Sequence, residues 1–107
     1  MGRLVIHRTE PGAGHFVTLT LIGELEVTNI SGFNASVVSA LKSGRPHLLV
    51  DLDGITRCDN GSLYTLLGAQ QAAGRAGGSL TITAASTTVR DAIQHNGLQE
   101  ILPVTPR

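Results

Sequence analysis

The stretch from Leu48 to Gly68, LLVDLDGITRCDNGSLYTLLG, constrains the fold more than any other part of this chain. It opens with a continuous apolar run, which predicts a strand over 47–52 that is buried on both faces. The polar residues from Asp51 to Cys58 predict a connection, and leucines at helical spacing after Asp59 predict a helix to about residue 76. This order places small polar residues at the end of a sheet, where function is usually found in open α/β folds.

Three further segments show the apolar pattern of strands. They are residues 4–6, 16–22 and 80–83. The first two are expected to pair as an antiparallel hairpin. The second strand is expected to end at Ile22, so that Glu24 and Glu26 lie beyond the sheet.

Two more helices flank the central stretch. Thr28 or Asn29 is expected to cap the first of them, which ends before Gly44. Ser86 is expected to cap the last helix. The order β-β-α-β-α-β-α predicts an α/β fold: one domain over 1–107, with a mixed four- to five-stranded sheet covered by three to four helices.

Composition narrows the function classes. Of 107 residues, 41% are hydrophobic and 15% charged, and the formal net charge of +0 argues against nucleic-acid binding. The single cysteine, Cys58, cannot form an internal disulfide, which fits a reducing compartment. No segment approaches the roughly 20 apolar residues of a membrane helix, and no signal peptide is evident. A cytoplasmic location without membrane insertion is therefore expected.

Asp59, Asn60, Gly61 and Ser62 form the most informative polar cluster. An aspartate before a helix is a common cap, and Asn-Gly is ordinary turn chemistry. A helix N-terminus also favours anions and phosphoserine, which points instead to a docking or switch site. Spacing alone leaves both interpretations open.

The remaining polar residues show no enzymatic or metal pattern. The histidines lie on separate elements without the spacing of metal ligands: His7, His15, His47 and His95. Ser62 as a hydrolase nucleophile lacks a G-x-S-x-G elbow. Cys58 is expected to pack at a strand end. Tyr64 lies off the apolar face of its helix and is either a half-covered surface residue or an interface anchor.

The segment DLDGITRCDNGSLYTLLGAQQAAGRAGG resembles the core of the STAS domain, the fold of bacterial anti-sigma factor antagonists. In that family Asp-Ser-Ser-Gly-Leu opens the corresponding helix. Residues 23–26, Gly-Glu-Leu-Glu, resemble the family's Gly-Glu-Leu-Asp. Residues 96–98 and 102–104 resemble its C-terminal signature. The resemblance covers nearly the whole chain.

The resemblance implies a non-enzymatic regulatory domain without cofactor or metal. Family members bind an ATP-dependent serine kinase that acts as an anti-sigma factor, and so release a sigma factor. The kinase phosphorylates the second serine of the motif. By position, Asp59 matches the family aspartate, Asn60 the first serine and Leu63 the leucine. Gly61 falls at the phosphorylated serine, and Ser62 falls at the glycine.

The acceptor hydroxyl is therefore missing from its expected position, which leaves three alternatives. Ser62 takes the phosphate; or the module binds its partner and escapes phosphorylation; or the chain belongs to a divergent branch, such as a stressosome-like scaffold or a subunit of a lipid-transport ATPase. We favour escape, because a shift of one residue rotates the hydroxyl by about 100° around the helix.

The expected partner-binding surface combines the start of this helix with two nearby acidic segments. Its residues are Asp59, Asn60, Gly61, Ser62, Leu63 and Tyr64, together with Glu24, Glu26, Thr28 and Asp53. The acidic members suit a basic patch on a kinase partner and guide docking more than they supply affinity. Whether two copies of the chain associate stays open.

Overall fold

The computed structural model, which describes residues 3–10 and 16–105, contains a pair of consecutive strands followed by helices and strands in alternation. They are β1 (Leu4–Thr9), β2 (Phe16–Leu25), α1 (Ser31–Lys42), β3 (His47–Cys58), α2 (Asn60–Arg75), β4 (Ser79–Ala85) and α3 (Thr87–His95). The predicted order of elements is confirmed. His15 and the ends of the predicted 1–107 domain lie outside the described residues.

The strands form one mixed sheet in the order β1-β2-β3-β4. β1 and β2 pair antiparallel as the predicted hairpin, whereas β2, β3 and β4 are parallel neighbours. Both crossovers advance across the sheet in one direction, so their common right-handedness places α1 and α2 on the same face. Val104 makes only an isolated bridge to Ile82, so within the described residues the sheet has four strands.

The core lies between this helical layer and alternate residues of the strands. Because strand side chains point to opposite faces in turn, residues 17, 19 and 21 of β2 and residues 48, 50 and 52 of β3 are buried. The helices contribute one stripe each to the same cluster: Phe33 and Val37 from α1, Leu63 and Leu66 from α2, and Val89 and Ile93 from α3. None of the helices in the described residues is both long and apolar enough to cross a membrane.

The prediction that residues 51–58 form a polar connection is wrong, because β3 continues to Cys58. Beyond Asp51 this strand pairs with the end of β2, which itself extends past its predicted end to Leu25. Two register shifts break the regular alternation there, and Ile55 still points into the core at 1% exposure. The outward-facing polar residues in the second half of β3 are therefore the reason why the sequence pattern did not indicate a strand there.

The prediction that Thr28 or Asn29 caps α1 is also wrong. The helix begins at Ser31, after Ile30, and no side chain caps its free N–H groups. The Asn29 side chain instead bonds the Glu26 N–H in the preceding loop and the Glu24 carbonyl at the end of β2. The predicted caps of the other two helices are confirmed, since Asp59 accepts from the Ser62 N–H and Ser86 accepts from the Val89 N–H.

Candidate functional site

Asp59 joins two segments that are far apart in sequence. Its Oδ1 accepts the Ser62 N–H at 2.9 Å, which caps α2. Its Oδ2 accepts the Val27 N–H at 3.0 Å, in the loop between β2 and α1. Its own N–H donates to the Leu25 carbonyl at 3.1 Å. We call loop 26–30 together with residues 59–64 the Asp59 end of the molecule.

These hydrogen bonds set the charge of the Asp59 carboxyl. Burial raises the pKa of this carboxyl, but the Ser62 side chain, which lies nearby without reaching hydrogen-bonding geometry, and then the N–H groups of Val27 and Ser62 lower the pKa by more. The pKa therefore lies below its ordinary value of 3.8. The carboxylate is ionised at neutral pH, and its charge stabilises the free N–H groups at the start of the helix.

Asn29 holds the other side of the Asp59 end. Its Oδ1 accepts the Glu26 N–H at 3.0 Å, and its Nδ2 donates to the Glu24 carbonyl at 2.8 Å. The Asn29 N–H also donates to the Glu26 carbonyl at 3.0 Å. A side chain that bonds its own turn in this way fixes the loop conformation. The residue type was informative, but its partners could not be read from the sequence.

Asn60 connects the start of α2 to the end of α3. Its Oδ1 accepts from Asn96 Nδ2 at 3.1 Å, and the same Asn96 group donates to the Ala92 carbonyl at 2.8 Å. Sequence reasoning assigned Asn96 to the end of a helix and not to this site. Since the bond joins residues 36 apart, no local signal predicts it.

Positions 61 and 62 differ in a way that matters for modification. Gly61 is half-buried and carries no side chain. Ser62 is 0% exposed, and its hydroxyl makes no hydrogen bond within the described residues. A kinase cannot reach a hydroxyl in this position unless the start of α2 opens.

The last two residues of the predicted helix start face opposite ways. Leu63 is fully buried in the core, so neither it nor Ser62 presents a side chain to a partner. Whether these two residues take part in partner binding stays a prediction, and in this structure only their backbone could contribute. Tyr64 is 54% exposed, and Asn60 is also exposed, so both are accessible at the surface.

The acidic residues assigned to the surface are only partly brought together. A groove of about 440 Å³ beside Asp59 is lined by Glu26, Thr56, Arg57, Cys58, Asp59 and Thr88. Thr28 is exposed and donates to a Glu26 carboxylate oxygen at 3.3 Å. Arg57 adds a positive charge to this groove, which the sequence reasoning did not include. Asp53 lies five residues before Cys58, on the order of 15 Å away along an extended strand, and does not line the groove.

Cys58 lies between the groove and the core. Burial raises the pKa of its thiol to about 11, and the negative charge of Asp59 adds to the rise. The thiol donates a weak hydrogen bond to the Asp59 carbonyl at 3.7 Å. It is therefore protonated and a poor nucleophile at neutral pH.

The hydrolase alternative finds no support in this geometry. A nucleophilic serine needs a base within hydrogen-bonding reach and access to substrate. Ser62 is buried and its hydroxyl has no hydrogen-bond partner among residues 3–10 and 16–105. Over the same residues, no group of three His, Cys, Asp or Glu side chains is placed to hold a metal ion.

Comparison with solved structures places this arrangement in a known fold. An anti-sigma factor antagonist from Mycobacterium paratuberculosis superposes with a TM-score of 0.82 at 16% identity, covering 98% of this chain and 87% of that one. The anti-sigma factor antagonist SpoIIAA in its unphosphorylated form gives 0.77 at 19% identity, covering 96% and 90%. The phosphorylated form of SpoIIAA, a Bacillus cell fate determinant, gives 0.71 at 17% identity, covering 96% and 93%.

A family model described as "Mlab, STAS domain" matches residues 9–103. No curated protein matches the sequence. The match spans most of the chain, from the end of β1 through all later elements. Together with the four-stranded mixed sheet and its three helices, it shows that the chain belongs to the STAS-domain family.

Proposed function

We propose that this chain is a regulatory protein-binding module that docks an anti-sigma factor serine kinase through the Asp59 end and thereby releases a sigma factor. The observation that carries the proposal is a helix start that the hydrogen bonds of Asp59 hold to loop 26–30 and that has no acceptor hydroxyl at position 61. It is a binding module and not an enzyme. It acts in the cytoplasm, where it meets its partner.

The hydrogen bonds of the Asp59 end support a docking role. Asp59 bonds both loop 26–30 and α2, and Asn29 bonds both the loop itself and the end of β2. A surface that is ordered before binding loses less conformational entropy when a partner arrives. Interfaces of stable complexes usually change little between the free and bound states.

Exposed side chains on this end supply the contacts. Tyr64 and Val27 are 54% and 57% exposed, and tyrosine in particular offers a large contact area with a polar tip. Glu26 and Asp59 border the adjacent groove and favour a basic group on the partner, with Arg57 limiting how many such groups fit.

The missing hydroxyl supports a module that binds without being switched. Gly61 occupies the position that the family resemblance assigns to the phosphorylated serine, and the neighbouring Ser62 hydroxyl is buried. Under this proposal the partner kinase binds the chain but transfers no phosphate to it.

The test is a titration of the purified chain with each anti-sigma factor serine kinase of the source organism. Replacing Tyr64 by Ala should weaken binding by about 1 kcal/mol or more, which is roughly fivefold in Kd. The matched control is Val38→Ala on α1, which shortens another exposed side chain (49%) outside the Asp59 end and should leave the affinity unchanged.

Intact mass of the chain after incubation with kinase, Mg²⁺ and ATP gives the second readout. An unchanged mass is expected. One added phosphate mapped to Ser62 would contradict the escape from phosphorylation, and equal affinity of the wild type and Tyr64→Ala would move the interface elsewhere.

A second candidate function is an accessory subunit of a larger complex, such as a stressosome-like scaffold or a lipid-transport ATPase. The absence of a side chain at Gly61 is equally compatible with this function, since a subunit that stays bound to its partner needs no modifiable position. Co-purification of the tagged chain with transporter ATPase subunits, and without a kinase, would establish this function in place of the first.

A further inference from the structure

We propose that the Val27 side chain occupies the space that any side chain at position 61 would need. As a result, the Asp59 end cannot be altered by a modification at that position. The inference rests on the proposed function for its biological meaning, because it concerns whether the docking surface can be altered at the acceptor position. The steric contact between Val27 and position 61 can be tested on the purified chain without any partner.

The packing of Val27 on Gly61 leaves no room for a Cβ atom. A Cβ built on Gly61 would overlap Val27 Cγ1, well inside the 3.0 Å that real Cβ contacts keep. The Cβ of Val27 would be 3.7 Å away, which is an ordinary contact, and Asp59 Oδ1 would be 3.9 Å away. A single methyl group of Val27 therefore accounts for the exclusion.

The backbone of Val27 cannot withdraw without breaking the hydrogen bonds that build the site. The Val27 N–H donates to Asp59 Oδ2, and the Asp59 N–H donates to the Leu25 carbonyl. Asn29 bonds both the Glu26 N–H and the Glu24 carbonyl on the other side of the loop. The side chain of Val27 is β-branched and has few alternative rotamers. A larger residue at position 61 must therefore displace the loop.

It follows that the acceptor position is closed for two independent reasons. The residue there has no hydroxyl, and the space that a serine side chain needs is occupied. Restoring serine alone would open the loop instead of recreating a modifiable surface. Serine together with a shortened Val27 would fit with the loop closed.

The experiment is a cycle of four proteins: the wild type, Val27→Ala, Gly61→Ser and the double variant. The readout is amide hydrogen exchange of the Val27 and Ser62 N–H groups, which both bond to Asp59. Gly61→Ser should speed exchange of these two amides by about tenfold, as expected for residues in direct contact. In the Val27→Ala background the same substitution should change exchange by less than about threefold.

Gly68→Ser is the matched control within the same helix. A Cβ on Gly68 has no heavy atom within 4 Å, so serine fits there with or without Val27. It should leave the exchange of the Val27 N–H unchanged in both backgrounds. This control separates the steric effect from the general effect of serine in a helix.

Two outcomes would overturn the proposal. Unchanged exchange in Gly61→Ser would mean that the Val27 side chain turns aside without moving the loop. Equal acceleration in both backgrounds would mean that some other group excludes the side chain. Neither outcome bears on partner binding, and a failed kinase titration would leave the result of this cycle intact, so the two proposals fail separately.

Discussion

At the scale of single residues, the Asp59 carboxylate divides its two oxygens between two segments of the chain. One oxygen serves the helix that follows it and the other serves a loop 32 residues earlier. Because both bonds favour the ionised form, the fold of the Asp59 end and the charge of this carboxyl depend on each other.

This dependence predicts a specific loss of stability in acid. The folded-state pKa of Asp59 is lower than the ordinary value of 3.8, so its contribution is fully present above pH 3.8 and is lost as pH falls through the folded-state pKa. Denaturant unfolding of the wild type between pH 5 and pH 2 should show this loss. Asp59→Asn should be less stable at pH 7 by about 1 kcal/mol and should show a shallower decline in acid.

Asp53→Asn is the control for that measurement. Asp53 is exposed on β3 and lies away from the Asp59 end. If Asp53→Asn flattened the acid dependence as much as Asp59→Asn, the assignment of the effect to the bonds of Asp59 would be wrong.

Cys58 gives a second prediction at this scale. With the pKa of its thiol raised to about 11, alkylation of the native protein by iodoacetamide at pH 7.5 should be far slower than alkylation of the urea-unfolded chain. The native rate should rise steadily up to about pH 11. Rapid alkylation of native protein at pH 7.5 would show that the thiol is neither buried nor influenced by Asp59.

At the scale of elements, the extension of β3 positions the site. The strand carries the chain from Asp51 to Cys58 beside the end of β2, and so delivers Asp59 next to loop 26–30. Gly23 allows β1 to approach closely at this point, since its φ of +117° and the nearby Arg3 carbonyl exclude a side chain. Ile55 anchors the extension in the core.

Because Ile55 is buried, replacing it by Ala is expected to lower the free energy of unfolding much more than replacing an exposed isoleucine. Ile55 is 1% exposed, so Ile55→Ala should destabilise the protein by about 2–5 kcal/mol. Ile101 is exposed in the C-terminal turn, and Ile101→Ala should change stability by less than about 0.5 kcal/mol. Equal and small effects in urea unfolding would mean that the extension of β3 is not held by the core.

At the scale of the whole molecule, the sequence predicted those features that depend on interactions between residues close together in the chain. The hairpin, the two crossovers and the caps Asp59 and Ser86 follow from apolar periodicity and from side chains that bond a few residues away. The asparagine before α1 was misassigned because capping and loop-bonding asparagines look alike in sequence. The extension of β3 was missed because register shifts interrupt its alternation.

The contacts that bring separate segments together at the candidate site join residues 32 to 36 apart in sequence. The Val27–Asp59 and Asn60–Asn96 bonds depend on how the crossovers fold back across the sheet. The apolar periodicity of the sequence does not predict this arrangement. The family resemblance predicts that position 61 corresponds to the acceptor site, whereas no sequence pattern predicts the packing of Val27 against Gly61.

The hydrogen bond from Val27 to Asp59 also makes binding of the proposed partner depend on folding of the chain. This bond joins the segments that follow β2 and β3, which the crossover through α1 separates by 32 residues, so it is a contact of the folded state. A partner that reads this surface therefore binds the native state and not the unfolded chain. By mass action, such a partner at 100 times its Kd would raise the free energy of unfolding by about 2.7 kcal/mol. The abundance of the partner would then help to set how long this small domain survives in the cell.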